Sequence, residues 1–214
     1  MFDLDGTLLD TLADLANAMN AALAELGFPT HPVEAYRYFV GDGIDTEAKR
    51  ALPNDHHDSE TIKKCVGLAA QYYGKCWSEN TKPYPGILEL LTSLQRRKIP
   101  MTVLSNKPHD FTKLIIEKLL SAWSFRIVRG VSDSTPTKPD AAGALQIAEE
   151  LKIPPQRFLY LGDTNTDMQT ADSAGMYALG ALWGFRTADE LLANGAKALV
   201  EKPQDVLKFL NTSR

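Results

Sequence analysis

The order of apolar and polar residues changes character once along the chain. From Asp10 to Leu26, apolar residues recur at three- and four-residue steps (Leu12, Leu15, Ala16, Met19, Leu23, Leu26), which predicts a helix with one buried face. Gly27 and Pro29 end it. Shorter helical stretches are predicted over 32–39 and 44–52 and a longer one over 59–78, and nothing from 12 to 80 reads as a strand. After Thr81, Pro83, Pro85 and Gly86 punctuate a linker. Beyond it, helices predicted over 86–98, 110–121, 139–152, 166–174 and 187–194 alternate with short apolar runs. Those runs are Met101–Ser105, Arg126–Val131, Arg157–Gly162, Tyr177–Leu182 and Ala198–Val200, and a helix over 203–211 closes the series.

Strand and helix in alternation predict an α/β fold, a Rossmann-like parallel sheet with helices on both faces. The helical block then reads as a small all-helical domain, 12–80, inserted after the first strand. The core comprises 1–11 and 81–214. At 214 residues the chain is long enough for two such unequal domains.

Composition narrows the function classes. Charged residues at 23% and hydrophobic ones at 44% fit an ordinary soluble protein, and a net charge of −4 gives no reason to expect nucleic acid as partner. No apolar run is long enough to span a membrane, and no secretory leader is expected. Cys65 and Cys76 lie eleven residues apart in one predicted helix, about 16 Å of rise. That excludes a bridge between them within the helix, and free thiols suit a reducing cytoplasm. A monomer or homodimer is expected. His56 and His57, in a polar loop, read as solvated.

The candidate chemistry begins at the first residues. Asp3 and Asp5 are separated by Leu4 and followed by Gly6 and Thr7. On an extended strand both carboxylates share a face, where they repel unless a cation or a shared proton relieves them. A solvated Asp-Gly turn is the alternative for this stretch alone. Ligands in open α/β sheets bind beyond the carboxyl ends of the strands. Two other strand ends carry reactive residues there, Ser105-Asn106-Lys107 and Gly162-Asp163 with Asp167, and Lys138-Pro139 opens a predicted helix. Four converging acids (Asp3, Asp5, Asp163, Asp167) need positive charge. A hard divalent cation with oxygen ligands, such as Mg²⁺, supplies it, and Lys138 adds more. A carboxylate is a competent nucleophile toward phosphorus, and a second one two residues on can move the proton.

These four signatures, in this order and across essentially the whole chain, resemble the haloacid dehalogenase superfamily of phosphohydrolases. The resemblance implies Asp3 as nucleophile and Asp5 as general acid/base. It implies Ser105 as donor to the phosphate and Lys138 as the orienting cation, with Asn106, Gly6 and Thr7 in support. Magnesium would be held by Asp3, the main-chain oxygen of Asp5 and Asp163, with Asp167 supporting. It argues against dehalogenation, because Asp5 is the acid that dehalogenating members generally lack.

The 12–80 block is similar to the cap of subgroup I members. Val40-Gly41-Asp42-Gly43-Ile44 with Lys49-Arg50-Ala51-Leu52, Ser105-Asn106-Lys107-Pro108 and Trp183-Gly184-Phe185-Arg186 resemble phosphoglycolate phosphatases. The implied reaction is Mg²⁺-dependent hydrolysis of a small phosphorylated metabolite, 2-phosphoglycolate first, through an aspartyl-phosphate. Inorganic pyrophosphatase and sugar-phosphate phosphatase or mutase are the alternatives, and a non-catalytic binding protein the remaining one. Gly41, Asp42, Gly43 and Arg50 are the candidate cap residues for the substrate carboxylate, against an alternative reading as helix-cap and surface features. Lys107 is expected at the surface or behind the site, and His109 in a structural role.

Only Met1 and Phe2 precede Asp3, whereas a strand of typical length has about five or six residues. The natural chain is therefore expected to start upstream, or to have been trimmed. Intact-mass measurement on protein from the native locus tests this, and 23.6 kDa would refute it.

Overall fold

The computed structural model describes residues 1–210. The elements run β1 (Leu9–Asp10), α1 (Leu12–Glu25), α2 (Tyr36–Phe39), α3 (Ile44–Ala51), α4 (Ser59–Cys76) and β2 (Lys82–Pro83). They continue with α5 (Ile87–Arg96), β3 (Met101–Pro108), α6 (His109–Leu119), β4 (Phe125–Val131), α7 (Ala142–Leu151) and β5 (Leu159–Gly162). The last are α8 (Asn165–Ser173), β6 (Tyr177–Ala181), α9 (Ala188–Ala193) and β7 (Ala198–Val200). The chain divides into two compact units, Met1–Leu9 with the residues from Pro83 onward, and Asp10–Lys82.

The larger unit is built on parallel strands in the order β4-β3-Phe2-β5-β6-β7. The opening residues occupy the centre. Phe2 N–H donates to Thr102 O and Asp3 N–H to Leu161 O, both at 2.9 Å. In return Phe2 O accepts from Leu104 N–H at 2.9 Å and Met1 O from Leu161 N–H at 3.0 Å. A segment too short to count as a regular strand thus completes the ladder between β3 and β5, because its backbone groups find partners on both sides. Side chains alternate across it. Met1 joins Leu104, Tyr160 and Ala178 in the core beneath α7, α8 and α9. Phe2 and Leu161 take the other face with Leu94 of α5 and Val206.

Several boundaries differ from the expectations. Strand β3 continues past Ser105 to Pro108, so Asn106 and Lys107 lie within it rather than beyond its end. The helix expected from 139 starts at Ala142, where Asp140 Oδ1 accepts the Ala142 N–H at 2.7 Å. Lys138 therefore sits in the loop before it. The stretch 32–39 divides into a 3₁₀ turn, Val33–Ala35, and α2. The terminal helix is the 3₁₀ segment Pro203–Phe209, and position 211 of that expectation lies outside the described residues.

The smaller unit is helical. α1 and α4 bury Ala16, Met19 and Leu23 and Cys65, Ala69 and Tyr73 respectively. The Asp58 carboxylate caps α4, accepting from Glu60 N–H and Thr61 N–H. Both cysteines lie on α4 and are free. Among the described residues, no helix is long and apolar enough to cross a membrane.

The two ends of the smaller unit are tied by one buried side chain. Asp14, in the first turn of α1, is fully buried and accepts from Asn80 N–H (3.0 Å), Asn80 Nδ2 (2.8 Å), Thr81 N–H (2.8 Å) and Thr81 Oγ1 (2.7 Å). Burial alone would raise its pKa, but these donors from Asn80 and Thr81 hold the carboxyl below its usual range. Asp14→Ala removes the acceptor from four donor groups and is expected to cost roughly 2–4 kcal/mol in denaturant unfolding. Because the folded pKa is depressed, the stabilisation is present above the unfolded value near 3.8 and lost as pH falls through the folded one. The gap between wild type and variant should therefore close on acidification; a gap that persists at low pH would count against the carboxylate's role.

Candidate active site

The site is assembled at the carboxyl ends of the three central strand segments. Asp3 leaves the sheet from the Met1–Asp3 segment, Ser105, Asn106 and Lys107 come from the end of β3, and Asp163 follows β5 directly. Asp167 is in the first turn of α8, where Thr164 Oγ1 accepts its N–H and its carboxylate accepts the Thr164 N–H, a capping box. Beyond Asp5 the chain turns at Gly6, whose φ of 85° suits glycine. Gly6 N–H donates to Leu9 O at 2.9 Å and closes the turn.

Lys138 is the electrostatic centre. Its Nζ lies 2.7 Å from Asp3 Oδ1 and 2.7 Å from Asp167 Oδ1, with Leu104 O at 3.3 Å, and the residue is only 4% exposed. Burial alone would lower its pKa, but Asp167 and Asp3 raise it well above the ordinary lysine value. The loop bearing it is held by Asn106, which accepts the Lys138 N–H through Oδ1 at 2.7 Å and donates through Nδ2 to Lys138 O at 3.1 Å.

The remaining acids have separate partners. Asp167 Oδ2 accepts from Thr164 Oγ1 (2.8 Å), Thr164 N–H (3.1 Å) and Asp163 N–H (3.2 Å). Asp163 Oδ1 accepts from Thr7 Oγ1 at 2.7 Å and Oδ2 from Phe185 N–H at 2.8 Å. Asp5 Oδ2 faces Lys107 Nζ at 3.3 Å. Ser105 is buried and its Oγ accepts the Lys107 N–H at 3.1 Å, which leaves the hydroxyl proton to donate elsewhere.

Asp3, Asp163 and Asp167 each bring a carboxylate oxygen within 4.8 Å of the others, and all three are buried. Burial first, and then Asp167, push the Asp3 carboxyl well above its usual range despite Lys138. The same two causes push Asp163 up to about 7, against the hydrogen bonds from Thr7 and Phe185. One lysine does not neutralise three desolvated carboxylates. A hard cation with oxygen ligands fits this donor set, and Mg²⁺ is the common one that accepts one or two carboxylates and leaves positions for phosphate oxygens.

Steric fit confirms how tightly the acids are set. A β-carbon on Gly6 or on Gly184 would overlap the Asp163 carboxylate, and one on Gly162 would overlap the Asp167 side chain. Trp183 Nε1 donates to Thr7 O at 2.9 Å, so the Trp183–Phe185 segment braces both Thr7 and Asp163.

Of the residues that sequence reasoning reached, Asp3, Asn106, Lys138, Asp163 and Asp167 are joined by these contacts. Asp5, expected as a fourth converging acid, instead faces Lys107 outside the three-acid cluster, and Ser105 Oγ meets the Lys107 N–H. Of the two places expected for Lys107, the surface or behind the site, the structure gives the second: it is 8% exposed and lies against Asp5. Sequence reasoning did not assign the roles of Trp183, Phe185 and Tyr160, whose hydroxyl lies 3.4 Å from Asp167 Oδ1. His109 is structural: its Nδ1 accepts Gly130 N–H at 3.3 Å. In the smaller unit, Gly41 and Gly43 have φ of 116° and 90°. There Arg50 Nη2 pairs with Asp42 at 2.6 Å and Nη1 donates to Phe39 O at 3.1 Å.

Comparison with known proteins agrees with this geometry. The sequence profile described as haloacid dehalogenase-like hydrolase matches residues 1–181. Phosphoglycolate phosphatase of Pseudomonas putida is 32% identical over 205 residues, covering 94% of this chain and 75% of the relative. Phosphoglycolate phosphatase of Escherichia coli O157:H7 is 30% identical over 228 residues, covering 98% and 90%. A solved haloacid dehalogenase-like hydrolase from Streptococcus pneumoniae superposes with a TM-score of 0.89 at 26% identity, over 98% of this chain and 96% of that one. With its acids, lysine and serine gathered at the strand ends of a parallel sheet, the chain belongs to the haloacid dehalogenase-like hydrolases.

Proposed function

We propose that this hydrolase is a Mg²⁺-dependent phosphomonoesterase that cleaves 2-phosphoglycolate through an aspartyl-phosphate. The observation that carries the chemistry is the buried Asp3–Lys138–Asp167 chain beside Asp163. The choice of substrate rests on the relatives named phosphoglycolate phosphatase, at 30–32% identity over nearly the whole chain.

In this reading the Asp3 carboxylate attacks phosphorus and the ester P–O bond breaks. The departing alkoxide takes a proton from Asp5. Lys138 holds Asp3 in place and offsets charge as it is transferred, and the Ser105 hydroxyl donates to a phosphate oxygen. Asp5 then takes a proton from water, whose oxygen attacks the acyl phosphate, and the P–O bond to Asp3 breaks. Asp3, the Asp5 main-chain oxygen and Asp163 would hold Mg²⁺, with Asp167 fixing Lys138 and the backbone of Asp163 and Thr164. When bound, the ion supplies charge compensation at the phosphate oxygens. Gly41, Asp42, Gly43 and Arg50 are the proposed contacts for the substrate carboxylate.

Asp3→Asn is expected to reduce Mg²⁺-dependent hydrolysis by roughly 10³-fold or more while leaving the fold intact. Rates measured on phosphoglycolate, pyrophosphate and hexose phosphates decide the substrate; a higher kcat/KM for either of the latter would overturn phosphoglycolate.

Metal linkage gives a second test. The folded-state pKa of Asp163 is raised to about 7 from 3.8, so its contribution favours the metal-free fold below about pH 4 and is lost as pH rises through 7. Saturating Mg²⁺, near one hundred times its dissociation constant, should restore about 2.7 kcal/mol at pH 8. The gain should shrink as pH falls below 7 and protons compete for the carboxylates. Thermal melts with chelator and with Mg²⁺ measure this; an equal shift at pH 5 and pH 8 would contradict it.

A further inference from the structure

The least expected ion pair in the larger unit is Lys107 with Asp5. Lys107 Nζ is 3.3 Å from Asp5 Oδ2, and the lysine side chain is 5% exposed against 19% for the aspartate. Exposed lysines gain little from such pairs, but a desolvated ammonium this close to a carboxylate constrains where that carboxylate can point.

The stem of Lys107 is fixed independently of its charge. It lies on β3, its N–H donates to Ser105 Oγ at 3.1 Å, and its carbonyl accepts from Thr112 Oγ1 at 3.3 Å. A β-carbon at Gly130 would overlap that same carbonyl, so β4 passes directly against it. The side chain therefore starts from a rigid base.

The two oxygens of Asp5 are unequal. Oδ2 has the lysine, whereas Oδ1 is buried and without a hydrogen-bond partner. A buried carboxylate oxygen lacking any partner carries a desolvation cost that a bound group would remove. Lys138 is committed to Asp3 and Asp167, so the two buried lysines divide the acids between them.

We propose that Lys107 is a positioning residue for Asp5: by anchoring Oδ2 it turns Oδ1 toward the leaving-group oxygen. This rests on the assignment of Asp5 as proton donor above. The consequence is selective. An alkoxide leaving group needs the donated proton, whereas 4-nitrophenolate departs without it, so misplacing Asp5 penalises alkyl esters more than aryl ones. The parameter kcat/KM reports this step, since it covers the reaction only up to the first irreversible transfer.

The experiment compares kcat/KM for an alkyl phosphate (2-phosphoglycolate or ethyl phosphate) and for 4-nitrophenyl phosphate, with Mg²⁺. The enzymes are wild type, Lys107→Met, Lys107→Arg and Asp5→Asn. Lys107→Met is expected to lower the alkyl-to-aryl ratio by roughly tenfold or more, the scale of general-acid catalysis, and Lys107→Arg to recover part of it. Mg²⁺-induced stabilisation in thermal melts, retained in Lys107→Met, confirms that the variant is folded and its acids assembled. Equal losses on both esters, or none, would overturn the proposal. If Asp5→Asn lowers the ratio and Lys107→Met does not, this inference alone fails. If Asp5→Asn leaves the ratio unchanged, the assignment of Asp5 fails with it.

Discussion

Everything at this site depends on a single ammonium group held between two carboxylates. Lys138 is buried with Asp3 on one side and Asp167 on the other, each at 2.7 Å. Neither acid tolerates that depth without it, and the lysine is equally costly to bury alone. The arrangement links three parts of the chain that are far apart in sequence. Removing the lysine leaves both carboxylates uncompensated, whereas removing either acid leaves a one-to-one pair.

The sheet supplies the geometry that this ion chain requires. Parallel strands direct their carboxyl ends to one edge, and the order β4-β3-Phe2-β5 places the Asp3, Ser105 and Asp163 segments side by side. Close approach is completed by absent atoms: Gly6 and Gly184 lie against Asp163, and Gly162 against Asp167. The acids are fixed by hydrogen bonds at one end and by backbone contact at the other. Hydroxyls of Thr7 and Thr164 fill the acceptor sites that cations do not.

Much of this was legible in the sequence, and the exceptions have physical reasons. Short apolar runs alternating with helical stretches gave the fold class, and the acids before and after glycine marked the strand ends. The opening segment looked too short to be a strand; the structure pairs it on both sides through backbone groups that carry no sequence signal. Lys107 was expected at the surface or behind the site, and the local pattern does not choose between the two. Strand β3 runs on to Pro108, which turns the side chain inward. The bracing by Trp183 and Phe185 joins residues more than 20 positions from their partners, one of them through a main-chain amide. Such contacts have no local pattern to reveal them.

The Asp14 bonds carry a meaning of a different kind. By fastening the start of α1 to Asn80 and Thr81, they bring together the entry and exit of the helical unit using only that unit's own atoms. Together with the pairing of β1 and β2 at the same place, they offset the loop entropy of a seventy-residue excursion. A segment with self-joined ends is a cassette. Recombination that exchanges it for another helical module of matching end spacing leaves the strands of the sheet untouched.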